Sequence, residues 1–205
     1  MKTYRAVRHD VVRKKQRENS NECHHPDEKI SLIENALGCS RDLAILELFS
    51  GRGNLTKVYE KYGRVDCYDK TYQHTGDSYL VFHRLIAEKK IYDVIDLDPY
   101  GFPNRFFPDI FMLINKGYLF LTIPKPYVNI LNGITKQHLI CYFGKANPSF
   151  YEIMDRIKLY GLCHWRKVEI LAYRDFGRIW RVCLVVEKVK ATEYCGVRNQ
   201  PDKTS

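Results

Sequence analysis

Apolar and polar residues follow two alternating periods along this chain. From Asp27, the residues Ile30, Ile33 and Leu37 fall at helical spacing and Gly38 stands as a stop, which predicts a helix. The short apolar run Ala44-Ile45-Leu46-Glu47-Leu48-Phe49 reads as a strand. Ser50-Gly51-Arg52-Gly53 follows at once, and residues 54–59 are helical again. Arg64–Asp69 predicts a second strand, Asp77–Lys89 a helix with Leu80, Val81, Leu85 and Ile86 on its apolar side, and Tyr92–Leu97 a buried strand. Phe106–Ile114 reads as helical, and Gly117–Ile123 as another buried strand, stopped by Pro124 and Pro126. Residues 127–147 mix helical and loop signals. Ser149–Tyr160 predicts a helix with Pro148 just before its start. Lys167–Tyr173 and Arg178–Val189 are strands joined by Asp175-Phe176-Gly177, a turn short enough to make them an antiparallel hairpin.

Five apolar strands alternate with helices and the hairpin closes the set. That order implies an α/β, Rossmann-like architecture: an open, mostly parallel sheet of the seven-stranded type, one antiparallel strand near its edge, and helices on both faces. Residues 1–27 are polar and charged and read as a basic arm, residues 28–190 as one domain, and residues 191–205 as a polar tail. Periodicity alone does not separate the doubly wound folds from one another, so the motifs must.

Composition narrows the setting. The 205 residues suit one domain. No apolar run approaches the roughly 20 residues of a membrane-spanning helix, and the basic N-terminus leads into no apolar signal segment. Seven cysteines, an odd number without a C-x-x-C pair, read as reduced side chains of a cytoplasmic protein. Cys23-His24-His25 lacks a second ligand pair at zinc spacing, so no metal is expected. The net charge is +9, with seven Lys or Arg among residues 1–20 and nine between Arg156 and Lys190. Such a balance attracts polyanions, nucleic acid among them, although a solvated basic surface produces the same count.

The first strand ends in Glu47-Leu48-Phe49-Ser50-Gly51-Arg52-Gly53. Gly51 and Gly53 allow a tight turn and close approach of a ligand to the backbone. The dinucleotide fingerprint is absent, because Thr56 stands where it needs glycine, and so is the P-loop pattern. Asp69 ends the second strand, where a carboxylate accepts the hydroxyl hydrogens of a ribose. Asp77 opens the next helix as an N-cap or first-turn acid.

The segment Tyr92-Asp93-Val94-Ile95-Asp96-Leu97-Asp98-Pro99-Tyr100-Gly101 carries the sharpest signal. A buried strand runs straight into acids, a proline, an aromatic and a glycine. Two acids at a strand end are unfavourable without partners, which argues for a site rather than a plain turn. The residue types suit an exocyclic base amine, whose lone pair is delocalised into the ring. Asp98 and the Pro99 carbonyl can accept its N–H hydrogens and favour the pyramidal, nucleophilic form. Proline fixes the direction of that carbonyl, and a neighbouring aromatic can stack on an extruded base. Lys125 and Tyr127, just past the strand 117–123, are placed to contact a substrate phosphate or base. Cytosine C5 chemistry needs a cysteine after a proline, and no such pair occurs.

These two segments resemble known motifs. Glu47 followed by x-x-x-Gly51-x-Gly53 resembles the first motif of class I S-adenosylmethionine-dependent methyltransferases. The resemblance implies that Glu47, Phe49, Ser50, Gly51 and Gly53 carry the methionine and ribose part of S-adenosylmethionine, with Asp69 and Asp96 in the same cofactor site and Asp77 near the adenine. Asp98-Pro99-Tyr100 resembles the Asp-Pro-Pro-Tyr motif of amino-methyltransferases. More closely, Asp96-Leu97-Asp98-Pro99-Tyr100-Gly101 is similar to the catalytic domain of the tRNA guanine N2,N2-dimethyltransferase family, over roughly residues 44–145. The resemblance implies catalytic roles for Asp98, Pro99 and Tyr100, a nucleic-acid partner (RNA before DNA) and a place in tRNA processing. The four-residue motif ends in an aromatic where this chain has Gly101, which leaves Tyr100 or Phe102 to supply the stacking face. DNA adenine N6 or cytosine N4 methylation is the alternative within the class. A methyltransferase fold that only binds RNA or a protein is the alternative outside it.

Overall fold

The computed structural model describes residues 25–70, 76–126 and 136–189. In chain order the elements are α1 (Pro26–Leu37), β1 (Leu43–Leu48), α2 (Thr56–Tyr59), β2 (Gly63–Tyr68), α3 (Ser78–Ala87) and β3 (Tyr92–Leu97). A single 3-10 turn (Ile110–Met112) follows, then β4 (Ile114–Pro124), α4 (Lys136–Phe143), α5 (Phe150–Cys163), β5 (Arg166–Asp175) and β6 (Ile179–Lys188). The expected arm and tail fall outside the described residues except for residues 25–27.

The strands form one sheet in the order β2-β1-β3-β4-β6-β5. Strands β1 to β4 run parallel, and β6 lies antiparallel between β4 and β5. The expected mostly parallel sheet with one reversed strand next to its edge is therefore present. It has six strands among the described residues rather than the seven-stranded type.

Alternation along each strand divides the core into two layers. Leu46, Leu48, Ile95, Leu97, Leu119 and Leu121 face Val81, Phe82 and Leu85 of α3 and Ile153, Met154 and Ile157 of α5. Ile45, Val94, Phe120 and Cys183 face the other way, onto Leu32, Ile33 and Leu37 of α1 and Val58 and Tyr59 of α2.

Local signals explain most boundaries. Gly38 ends α1 and donates its N–H to Glu34 O at 2.9 Å. Ser149 caps α5 reciprocally: its Oγ accepts from Glu152 N at 3.4 Å, and its own N–H donates to Glu152 Oε2 at 2.8 Å. Two expected helices are shorter than their patterns. Residues 54–59 make one turn, α2. Residues 106–114 form turns, one 3-10 turn and the start of β4. Pro108 lies inside that second segment, where it removes an N–H and bars its predecessor from helical backbone.

Candidate active site

The strand order reverses direction between β1 and β3. From β1 the chain moves outward to β2, and from β3 outward to β4. Open α/β sheets bind ligands in the crevice at the carboxyl ends of such neighbouring strands. The glycine loop after β1, Asp69 after β2 and the Asp98 loop after β3 all meet there.

The glycine loop is built from strained backbone. Phe49, Gly51 and Gly53 have φ of 73°, 56° and 77°. That is the left-handed region, which glycine enters at little cost and phenylalanine does not. The Phe49 ring meets Phe106 edge-on, with centroids 5.6 Å apart. Gly53 N–H closes the turn on Ser50 O at 2.9 Å. Asp69 Oδ2 accepts from Gly51 N at 3.1 Å, so the acid after β2 is tied to the loop after β1. Ser50 Oγ is buried and has no hydrogen-bond partner among the described residues. A buried hydroxyl in that condition is unfavourable unless a ligand or water meets it. Asp77 caps α3 by accepting from Tyr79 N at 3.0 Å, and Lys70 lies 3.7 Å from its carboxylate.

Behind the loops runs a buried polar stripe. Glu47 sits beside Asp96 in the β1–β3 register, and Thr122 pairs with Arg181 in the β4–β6 register. All four are less than 5% exposed. Arg181 grips Asp96 with both terminal nitrogens, NH1 to Oδ1 at 2.9 Å and NH2 to Oδ2 at 2.5 Å, and NH1 also reaches Thr122 Oγ1 at 3.1 Å. The Tyr59 hydroxyl donates to Asp96 Oδ2 at 2.6 Å. Thr56 Oγ1 donates to Glu47 Oε2 at 2.5 Å. Burial, and then the neighbouring Asp96, push the Glu47 carboxyl up to about 8, against the Thr56 hydrogen bond.

Asp98 ends this stripe at the crevice, its side chain 20% exposed. Lys29, from the first half of α1, places Nζ 2.6 Å from Asp98 Oδ2. Thr122 also donates to Asp98. Burial raises the Asp98 carboxyl, but Lys29 and Arg181 outweigh it and hold the group below the ordinary carboxylate value, so it is ionised at neutral pH. Tyr100, two residues on, is 57% exposed.

Three of the expected site residues are enclosed by the fold. Asp96 is fully buried, and both its oxygens are occupied by Arg181 and Tyr59. Phe102 is buried, with its ring edge-on to Phe107 and Phe143, which leaves Tyr100 as the exposed aromatic of the loop. Lys125 is buried too: its Nζ donates to Asp175 Oδ2 at 2.7 Å and lies 5.2 Å from the Trp180 ring centre, so it pins the β5–β6 turn. Tyr127 lies outside the described residues. Two site residues escape sequence reading, Lys29 and Arg181. Lys29 had one usable signal, since it stands four residues before Ile33 on the apolar face of α1.

No protein-family model and no curated protein matches the chain. Solved structures do. The chain is similar to Trm1 from Pyrococcus horikoshii in complex with S-adenosyl-L-methionine, at TM-score 0.58 and 13% identity over 80% of this chain and 55% of that one. It is similar to a putative SAM-dependent methyltransferase from Streptococcus mutans, at TM-score 0.52 and 11% identity over 83% of this chain and 48% of that one. A SAM-dependent methyltransferase from Archaeoglobus fulgidus aligns at TM-score 0.50 and 12% identity, over 86% of this chain and 100% of that one. The chain thus spans about half the length of the first two relatives. At these identities the likeness is one of fold, and the fold is that of the class I methyltransferases.

Proposed function

We propose that this chain is an S-adenosylmethionine-dependent methyltransferase acting on an exocyclic amine of a nucleic-acid base, RNA before DNA. The observation that carries this reading is an ionised Asp98 at the mouth of the crevice, next to the glycine loop and followed by Pro99 and an exposed aromatic. The glycine loop suits the cofactor: Ser50 Oγ is an orphaned polar atom within it, and Asp69 stands behind the Gly51 amide. Asp69, Ser50 and the loop amides are the groups that would hold the ribose and methionine parts.

When bound, the cofactor would supply an electrophilic sulfonium methyl for the amine nitrogen, with the thioether as leaving group and water as acceptor of the surplus proton. The residues of the chain prepare that nitrogen. Asp98 accepts one amine N–H and the Pro99 carbonyl the other, which draws the lone pair out of the ring. Tyr100 offers a face on which the extruded base stacks. Arg181, Asp96 and Thr122 fix the floor beneath Asp98, so alignment supplies a large part of the acceleration. The resemblance of residues 96–101 to the tRNA guanine N2,N2-dimethyltransferase segment and the net charge of +9 support a nucleic-acid substrate.

The test offers the protein methyl-labelled S-adenosylmethionine with separate pools of tRNA, rRNA and duplex DNA. Label in RNA is the expected result. Label in DNA alone would move the assignment to the DNA amines, and no label in any pool, with cofactor bound, would overturn it.

A further inference from the structure

Lys29 is 69 residues from Asp98 in the sequence and on a different layer of the fold, and amine methylation as described above does not by itself require a cation there. Its side chain is 4% exposed, although Asp27 and Glu28, the two residues just before it, are in solvent. A lysine near a helix end ordinarily lays its stem on the surface and keeps its ammonium in water. Here the ammonium is turned inward, onto Asp98 Oδ2 at 2.6 Å. Burying two ions carries a desolvation penalty of several kcal/mol per ion, offset only by close geometry and further hydrogen bonds. An apolar residue would fill the same place on α1, between Leu32 and Ile33 and the sheet, without that penalty. The pair therefore weakens the case for a purely structural role.

The groups around Asp98 show what the lysine does. Arg181 of β6 is cationic but is held by Asp96, and Thr122 of β4 gives Asp98 a neutral hydrogen bond. Glu47 of β1 and Asp96 of β3 are acids on the same stripe. Without Lys29, Asp98 would lie over a low-dielectric floor whose one arginine is already engaged by Asp96. It would take up a proton more readily and lose the contact that sets its side-chain direction.

We infer that Lys29 is a positioning residue of the catalytic loop, fixing the Asp98 carboxylate in one orientation and keeping it an ionised hydrogen-bond acceptor. The inference rests on the proposed role of Asp98. It makes α1 a part of the site, and it makes Asp98 an acceptor that orients the amine rather than a base that removes its proton.

The test compares the wild-type chain with Lys29→Met and Lys29→Arg. The rate of methyl transfer is followed against pH, cofactor affinity is measured by calorimetry, and the Asp98 carboxyl is titrated by carbon NMR without substrate. In Lys29→Met, transfer at neutral pH should fall about a hundredfold, the loss typical of a misaligned reacting group. Its acid limb should move to higher pH, cofactor affinity should stay within about threefold, and the Asp98 midpoint should rise by about a unit or more. Lys29→Arg keeps the charge in a different shape and should recover part of the rate and the wild-type limb. A Lys29→Met enzyme with unchanged rate and unchanged acid limb would overturn the inference. If Lys29→Met does not fold, the NMR titration of the wild-type chain decides: an Asp98 that titrates in the ordinary carboxylate range overturns it, and one well below that range sustains it. If the wild-type chain methylates no amine, the proposed function fails, while the titration still reports whether Lys29 holds Asp98.

Discussion

Arg181 is the keystone of the floor beneath the site, and its removal should be costly in a calculable way. The side chain is fully buried, spans Asp96 with two hydrogen bonds and reaches Thr122 with a third. Arg181→Met keeps most of the volume and removes the charge. Among the described residues, Asp96 is then a buried carboxylate with the Tyr59 hydroxyl alone to satisfy it. Breaking a buried pair on one side destabilises by about 3–5 kcal/mol. For a chain of this length each kcal/mol shifts Tm by roughly 2–4 °C, so Tm should fall by about 6–20 °C. The double variant Arg181→Met with Asp96→Leu removes the stranded charge but orphans the hydroxyl of Tyr59, worth about 1–3 kcal/mol, while Thr122 keeps its bond to Asp98. It should therefore be more stable than the single variant and less stable than wild type. Urea unfolding of the four members of this cycle should give a coupling energy of about 2–3 kcal/mol. Additive single effects, or an Arg181→Met loss below about 1 kcal/mol, would refute the account of this stripe.

Two further predictions follow from neighbouring groups. Glu47 has its folded-state proton affinity raised, from the ordinary 4.5 to about 8, so its contribution to stability is fully present below pH about 4.5 and is lost as pH rises through about 8. Glu47→Gln imitates the protonated form. It should match wild type in urea unfolding near pH 4.5 and grow steadily more stable by comparison up to pH about 8, by at most ~5 kcal/mol; a difference that stays constant across that window would remove the raised proton affinity. Asp69→Ala should weaken cofactor binding by about 1–3 kcal/mol in calorimetry, because it removes a charge-assisted acceptor and frees the Gly51 amide it holds. An unchanged Kd would place the ribose elsewhere.

Much of this arrangement was legible before the structure. Short apolar runs such as Ala44–Phe49 and Gly117–Ile123 read as parallel strands because burial on both faces leaves little room for polar residues. The short Asp175-Phe176-Gly177 turn fixed the hairpin, whose strands pair as Asp175 with Trp180. Asp98 and the glycine loop stood out because acids and glycines directly after buried strands are rarely neutral choices for packing. The remainder depends on side chains that meet only across the fold. Arg181 lies in a strand that reads as apolar, and only the register with β4 and β3 sets it on Asp96. Lys29 shares the apolar face of α1, but only the packing of that helix on the sheet brings its ammonium to Asp98. Phe102 resembled a stacking platform, but residues 103–112 wrap their own aromatics into the core and take Phe102 with them. Tertiary partners, not local propensity, decide such cases.

In the proposed reaction, Asp98 directs a methyl group to an exocyclic amine. The most direct test of that role digests RNA incubated with S-adenosylmethionine and either wild-type chain or Asp98→Ala, and identifies the methylated nucleosides by mass spectrometry. The expected result is an amine-methylated base with the wild-type chain and none with Asp98→Ala, although that variant binds cofactor within about threefold of wild type, since removal of a group used only in the transition state lowers rate and not affinity. A methyl group on carbon or ribose, or full transfer by Asp98→Ala, would contradict it.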